Sequence, residues 1–159
     1  MANTTNLGLK KLQGSDYVTV DTFNENYDVL DKLGVDYVVA TGTDSNGWWY
    51  RKWNSGYAEC SIADKNFGDV AINLTWGAMF ASNQLTFGAY PFAFKSRPFV
   101  TVSFNGSSDA GSEGKDQQSY AACAASTSTT TSPYFRLIDP YSNGHSNVRC
   151  GIYVFGFYK

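Results

Sequence analysis

Few side chains in this sequence are able to do chemistry. A glycoside hydrolase needs two carboxyl groups held at a fixed separation across the sugar bond. Asp109, Glu113 and Asp116 lie close together, but in a Gly- and Ser-rich stretch with no rigid element beneath them. A solvated loop accounts for them. A nucleophilic triad has to be built on His145, the single histidine. Ser142, Ser146, Cys60 and Asp139 can each be drawn toward it, yet none lies in a nucleophile signature such as Gly-x-Ser-x-Gly. One histidine, scattered carboxylates and three cysteines without paired spacing make no metal site within one chain. Only three copies of His145 on a three-fold axis supply one. The expectation is a protein that is no enzyme and carries no cofactor and no metal.

Sugar recognition asks for less: an aromatic face for the apolar side of the ring, and planar polar groups for its hydroxyls. The segment after Ile138 offers Asp139, Tyr141, Asn143, His145 and Arg149, and the facing segment offers Asn105, Asp109 and Gln117. Asn105, Asp109, Asp139, Tyr141, Asn143, His145 and Arg149 are therefore the expected ligand-binding residues. The plainer alternative is that they cap loops, with Asn143-Gly144 forming a turn.

A second aromatic cluster runs from Asn46 to Cys60. Trp48, Trp49 and Trp53 are three of the four tryptophans, and Arg51 and Lys52 sit among them. In an extended chain Trp48, Tyr50 and Lys52 share one face, and Trp49, Arg51 and Trp53 the other. Asn54-Ser55-Gly56 is a turn signal, so the run reads as a β-hairpin returning to Cys60. Aromatics on both faces demand packing on both, from the chain's own head or from a neighbouring subunit. Arg51 and Lys52 are expected to lie across the rings.

The elements that must position these residues change character near Gly34. Before it, Phe23, Tyr27, Leu30 and Leu33 form one helical stripe, with Thr22 and Glu25 as a capping box and Gly34 as the stop. A narrow stripe on a short helix suits bundling of identical copies around an axis. After it the period is two. Strands are expected at 37–40, 70–81, 85–94, 99–104, 119–127, 134–139 and 148–158, with Pro91 and Pro98 bending the third and Gly151 and Gly156 marking bulges in the last. If consecutive head strands alternate direction from Asp69, the links 105–118 and 140–147 fall at one pole, opposite Asp69. Long loops on a rigid scaffold are common binding sites.

Bulk properties agree with a single β-rich domain and its appendages. The chain has 159 residues and is rich in Gly, Tyr and Phe, with a formal charge of −2. That charge argues against nucleic-acid binding through phosphate neutralisation. No apolar run approaches the roughly 20 residues of a membrane helix, and the first residues lack a secretory pattern. Cys60, Cys123 and Cys150 are expected as buried thiols.

Asn6-Leu-Gly-Leu9 with Asp16-Tyr-Val-Thr-Val-Asp-Thr-Phe-Asn-Glu-Asn-Tyr-Asp28 resembles the opening of tail-fibre and minor structural proteins of phages and prophages of Gram-positive bacteria. Gly47-Trp-Trp-Tyr-Arg-Lys-Trp-Asn-Ser-Gly-Tyr-Ala-Glu-Cys60 is similar to a hairpin that precedes their terminal head. Tyr90-Pro-Phe-Ala-Phe-Lys-Ser-Arg-Pro-Phe-Val-Thr-Val-Ser103 and Cys150-Gly-Ile-Tyr-Val-Phe-Gly-Phe-Tyr158 resemble their C-terminal sandwich, which is akin to H-type lectin domains. The resemblance implies a homotrimer in the virion tail, made in the bacterial cytoplasm and released on lysis. Its N-terminal part attaches to the tail or baseplate, and its head meets host-surface glycan, with no membrane insertion.

The combined expectation is a mainly β protein with three parts. Residues 1–36 form an attachment segment and trimerising helix, 37–63 a strand and aromatic hairpin, and 64–159 an antiparallel β-sandwich head. Phe23, Tyr27, Leu30, Leu33, Trp48, Trp49 and Trp53 are the expected oligomerisation residues. The expected function is a receptor-binding tail fibre that recognises carbohydrate without cleaving it. A purely structural tail or baseplate component is the alternative, and a depolymerase a third possibility.

Overall fold

A computed structural model describes residues 2–3, 9–11, 17, 19–32, 36–108, 120–123, 130–132 and 134–159. Asp109 and Leu33 lie outside the described residues, as do Glu113, Asp116 and Gln117. The chain forms two compact units, Met1–Tyr37 and Val38–Lys159.

In the first unit β1 (Ala2–Asn3) pairs antiparallel with β2 (Lys10–Lys11), and α1 spans Val20–Lys32. The helix begins earlier than the Thr22–Glu25 pattern suggests, because Thr19 is its cap. The Thr19 Oγ1 accepts a hydrogen bond from the Thr22 amide at 3.3 Å. Glu25 turns instead to Lys10, and Asn26 ties the helix to β2 by accepting from the Lys10 amide at 2.7 Å. Phe23, Tyr27 and Leu30 stand exposed on α1.

The second unit comprises β3 (Val38–Thr43), β4 (Trp49–Trp53), β5 (Tyr57–Asn66), β6 (Val70–Trp76), β7 (Met79–Ser82), β8 (Phe99–Gly106), β9 (Tyr120–Cys123), β10 (Phe135–Asp139), β11 (Asn143–His145) and β12 (Arg149–Phe157). They build two five-stranded sheets, β3-β4-β5-β12-β8 and β11-β6-β7-β10-β9. Every pairing is antiparallel. The protein is mainly β, as expected from its period-two patterning. Trp48, Cys60, Ile152 and Val154 from the first sheet meet Ile72, Phe135 and Leu137 from the second in one core. The aromatic hairpin is an inner part of the first sheet and shares a compact unit with everything after it.

Three differences from the period-two reading have local causes. Gly77, at φ +62°, folds the expected strand 70–81 into the β6–β7 hairpin. The apolar run 85–94 is no strand; among the described residues its ladder pairing is limited to the isolated bridges Leu85↔Phe135 and Ala89↔Thr131. Gly88 at φ +95° and Pro91 interrupt its ladder, and Phe87, Tyr90 and Phe94 turn inward instead. In β12 a bulge occurs at Gly151, whereas Gly156 pairs regularly with Ala58. A Cβ at Gly156 would lie 3.3 Å from Phe94 and Pro98, so close packing is its reason.

The two sheets share a corner. Arg149 pairs with Asn66 in the first sheet and His145 with Val70 in the second. Between them Val148 donates to Gly68 O at 2.9 Å and Phe67 to Val148 O at 2.8 Å. The segment after β8 joins this corner, where the Ser108 amide donates to Ser146 O at 2.8 Å. Ser108 and the Ser146–Asn147 turn thus meet beside Asp69, which accepts from the Asn147 amide at 3.2 Å. The expectation that Asp69 marks the opposite pole is corrected: residues 66–69 carry the chain between sheets. Within this unit the opposite end of the first sheet is the one with Val38, which pairs with Trp53.

Candidate functional site

The hairpin sorts its side chains as a pleated strand must. On the inner face Trp48 packs against Phe87 and Tyr90, with centroids at 6.3 and 5.7 Å, and is fully buried in the chain's own core. Lys52 Nζ lies 4.3 Å from the Phe92 ring centre, and burial lowers its pKa. On the outer face Arg51 lies over Trp53 at 4.7 Å and over Trp49 at 5.4 Å. Glu59, opposite it on β5, accepts from Arg51 Nε at 2.9 Å and from the Tyr153 hydroxyl.

Beside Tyr153 the outer face sinks into a trough of about 230 Å³. Its position follows from register: Tyr153 pairs with Ser61 and Thr101, and Gly151 with Ser103. Alternation therefore brings the hydroxyls of Ser61, Thr101 and Ser103 around Gly151. The floor requires glycine, since a Cβ there would stand 2.6 Å from Ala63 O and 2.9 Å from Ser103 Oγ.

The trough leads into a polar cluster. Ser103 Oγ donates to Asn105 Oδ1 at 2.8 Å, and Asn105 Nδ2 donates to Ala63 O at 2.9 Å and to Asp64 Oδ1 at 3.3 Å. Arg149 Nε donates to Asp64 Oδ2 at 2.7 Å. The hydrogen bond from Arg149 holds the Asp64 carboxyl below its ordinary range, and the same bond raises Arg149. Burial, followed by the hydrogen bond to Glu59, pushes the Tyr153 phenol up to about 12. At neutral pH the surface thus offers a neutral phenol ring, hydroxyls, an amide, a carboxylate and a guanidinium. That is a saccharide-binding repertoire.

The expected ligand residues divide. Asn105 and Arg149 stand together in the cluster. Asp139 and His145 are buried. Asp139 Oδ1 accepts from the Tyr141 amide at 2.9 Å, Oδ2 accepts from Asn143 Nδ2 at 3.2 Å, and His145 Nε2 lies 3.8 Å from Oδ2. Asp139 thus caps the turn after β10, and His145 packs on Phe104 at 5.9 Å. Asn143-Gly144 is strand, not turn. Tyr141 is exposed, but at the other end of the ribbon from Arg149, because Asn143 already pairs with Ile72. Of the expected contact residues in the hairpin, Trp48 is spent on this chain's core, while Trp49 and Trp53 remain on the outer face.

Ser61, Thr101, Ser103, Gly151 and Tyr153 were not among the expected site residues. Thr101-Val-Ser103-Phe-Asn105 carried their signal, since strict alternation places three polar groups on one strand face. Cys60 and Cys150 are free and buried, and burial pushes both thiols up to about 12. Among the described residues no three His, Cys, Asp or Glu side chains gather as a metal site, and no helix is long and apolar enough to cross a membrane.

No protein-family model and no curated protein matches the chain. Among solved structures it is similar to an N-truncated R1-type pyocin tail fibre, at 20% identity and a TM-score of 0.47, covering 82% of this chain and 95% of that one. It is also similar to a C-terminal fragment of the P. aeruginosa R1 pyocin fibre, at 20% identity and a TM-score of 0.45, covering 89% of this chain and 32% of that one.

Proposed function

We propose that this chain is a receptor-binding tail-fibre protein whose sandwich recognises host-surface carbohydrate without cleaving it. The observation that carries the reading is the trough. An aromatic ring, a glycine floor and three hydroxyls run into the Asn105–Asp64–Arg149 cluster on one sheet face. The tail-fibre part rests on the resemblance of the hairpin and the two C-terminal segments to phage and prophage fibres of Gram-positive bacteria, with their H-type-lectin-like heads. The first unit attaches to the tail or baseplate, and the exposed stripe Phe23, Tyr27 and Leu30 associates with two further copies. Three heads then multiply weak single contacts by avidity.

Binding without hydrolysis is supported by how the carboxylates are engaged. A glycosidase needs one carboxyl that donates a proton and a second acting across the bond. Asp64 is held below its ordinary range by Arg149, and both Glu59 oxygens accept hydrogen bonds from Arg51 and Tyr153.

The test is retention on a panel of immobilised bacterial cell-surface polysaccharides. The full chain is expected to be retained by at least one and to release no shorter products. Asn105→Ala with Arg149→Ala should abolish retention by the neutral polysaccharides of the panel at unchanged melting temperature. No retention by any polysaccharide contradicts the recognition claim, and released fragments contradict the absence of cleavage.

A further inference from the structure

We propose that the outer face of the second sheet holds a separate site for an anionic saccharide, seated between Trp76 and Arg136. The site lies on the opposite sheet from the trough and stands without it. Ala81 pairs with Leu74 on one side and Ile138 on the other. Its small side chain leaves a hollow of about 350 Å³ lined by Leu74, Thr75, Trp76, Ala81 and Arg136. That volume falls in the range of small-ligand sites.

The ligand class follows from what lines the hollow. Trp76 is 53% exposed, so its indole is available as a platform for the apolar face of a ring. Arg136 reaches this side because β10 alternates, with Phe135, Leu137 and Asp139 pointing into the core. Its Nη1 donates to Ser82 O, which fixes the guanidinium without neutralising it. No carboxylate pairs with Arg136 among the described residues. A purely apolar occupant would strip water from that charge and return nothing. A pyranose carrying an oxyanion meets both walls, with the ring against indole and the oxyanion on the guanidinium fork. Carboxylate and phosphate share this chemistry.

Calorimetric titration of the full chain tests the site, with three probes: an oligoglucuronate, a glycerol-phosphate oligomer linked to glucose, and neutral cello-oligosaccharide. Binding of the first identifies a uronate, binding of the second a phosphate, and either supports the site. Trp76→Ala and Arg136→Gln should each weaken that binding about tenfold or more, while Asn105→Ala with Arg149→Ala leaves it intact. Trp76 is exposed, so Trp76→Ala reports on binding even where Arg136→Gln disturbs Ser82. The affinity should fall as salt rises. Binding of neither anionic probe, equal binding of the neutral one, or a Trp76→Ala variant that binds as tightly as the parent overturns it. The trough proposal has its own readout in the Arg149 variant, so the two fail separately.

Discussion

Two arginines stand beside tryptophan on the outer faces of the sandwich, and among the described residues a carboxylate closes one of them, Arg51. Arg51 lies over Trp49 and Trp53, and Glu59 accepts its Nε proton at 2.9 Å. Arg136 shares a hollow with Trp76, and among the described residues a carbonyl, Ser82 O, anchors it. The same pair of residue types therefore does two jobs. With an acid in reach the cation, ring and carboxylate hold strands β4, β5 and β12 together; without one, the charge stays available to a ligand.

The sharpest way to break this comparison is to empty the core on the inner side of the hairpin that carries Arg51. Trp48→Ala empties the core position behind the hairpin and is expected to cost about 3–5 kcal/mol in denaturant unfolding. A small loss would mean that the hairpin is not part of the core. Glu59→Ala leaves Arg51 and the half-buried Tyr153 hydroxyl without their shared acceptor, at about 1–3 kcal/mol. Arg136→Gln, by contrast, should cost under about 1 kcal/mol. Equal losses at the two sites would erase the distinction between them. Gly151→Ala drives a Cβ toward the Ala63 carbonyl and should cost about 1–3 kcal/mol while closing the trough.

A separate effect is expected in alkali. The Cys60 and Cys150 thiols and the Tyr153 phenol are each pushed up to about 12 by burial first. Folding thus favours their protonated forms. Their contribution is complete below the ordinary thiol value of 9.0 and is lost as pH rises to about 12. Denaturation midpoints should be flat to pH 9 and then fall, and Cys60→Ala with Cys150→Ala should flatten the fall. An unchanged slope in that variant would place the titration elsewhere.

How far the sequence is legible depends on how local each cause is. The hairpin could be read because a turn signal and strict alternation lie within one short segment, and both cations do lie across rings. Phe87, Tyr90 and Phe94 misled because an apolar run looks like a strand until Gly88 and Pro91 break its ladder. The corner at 66–69 was hidden because its partner, Val148, is remote in sequence. For the site, Asn105 and Arg149 stood out as polar residues beside loops. Asp139 and His145 stood out for the same reason but are buried, because strand parity, not polarity, decides which way a side chain points. Gly151 gave no sign of being a floor, since only the pairing of three strands creates the hollow.

The most direct measurement of the central claim is amide chemical-shift mapping of the full chain with fragments of whichever polysaccharide retains it best. The account predicts that the largest changes fall on Thr101, Ser103, Gly151 and Tyr153, with Asn105 and Arg149 following. Changes confined to the Tyr141 turn or to the outer face of Trp49 and Trp53, or no changes at any residue, would contradict it.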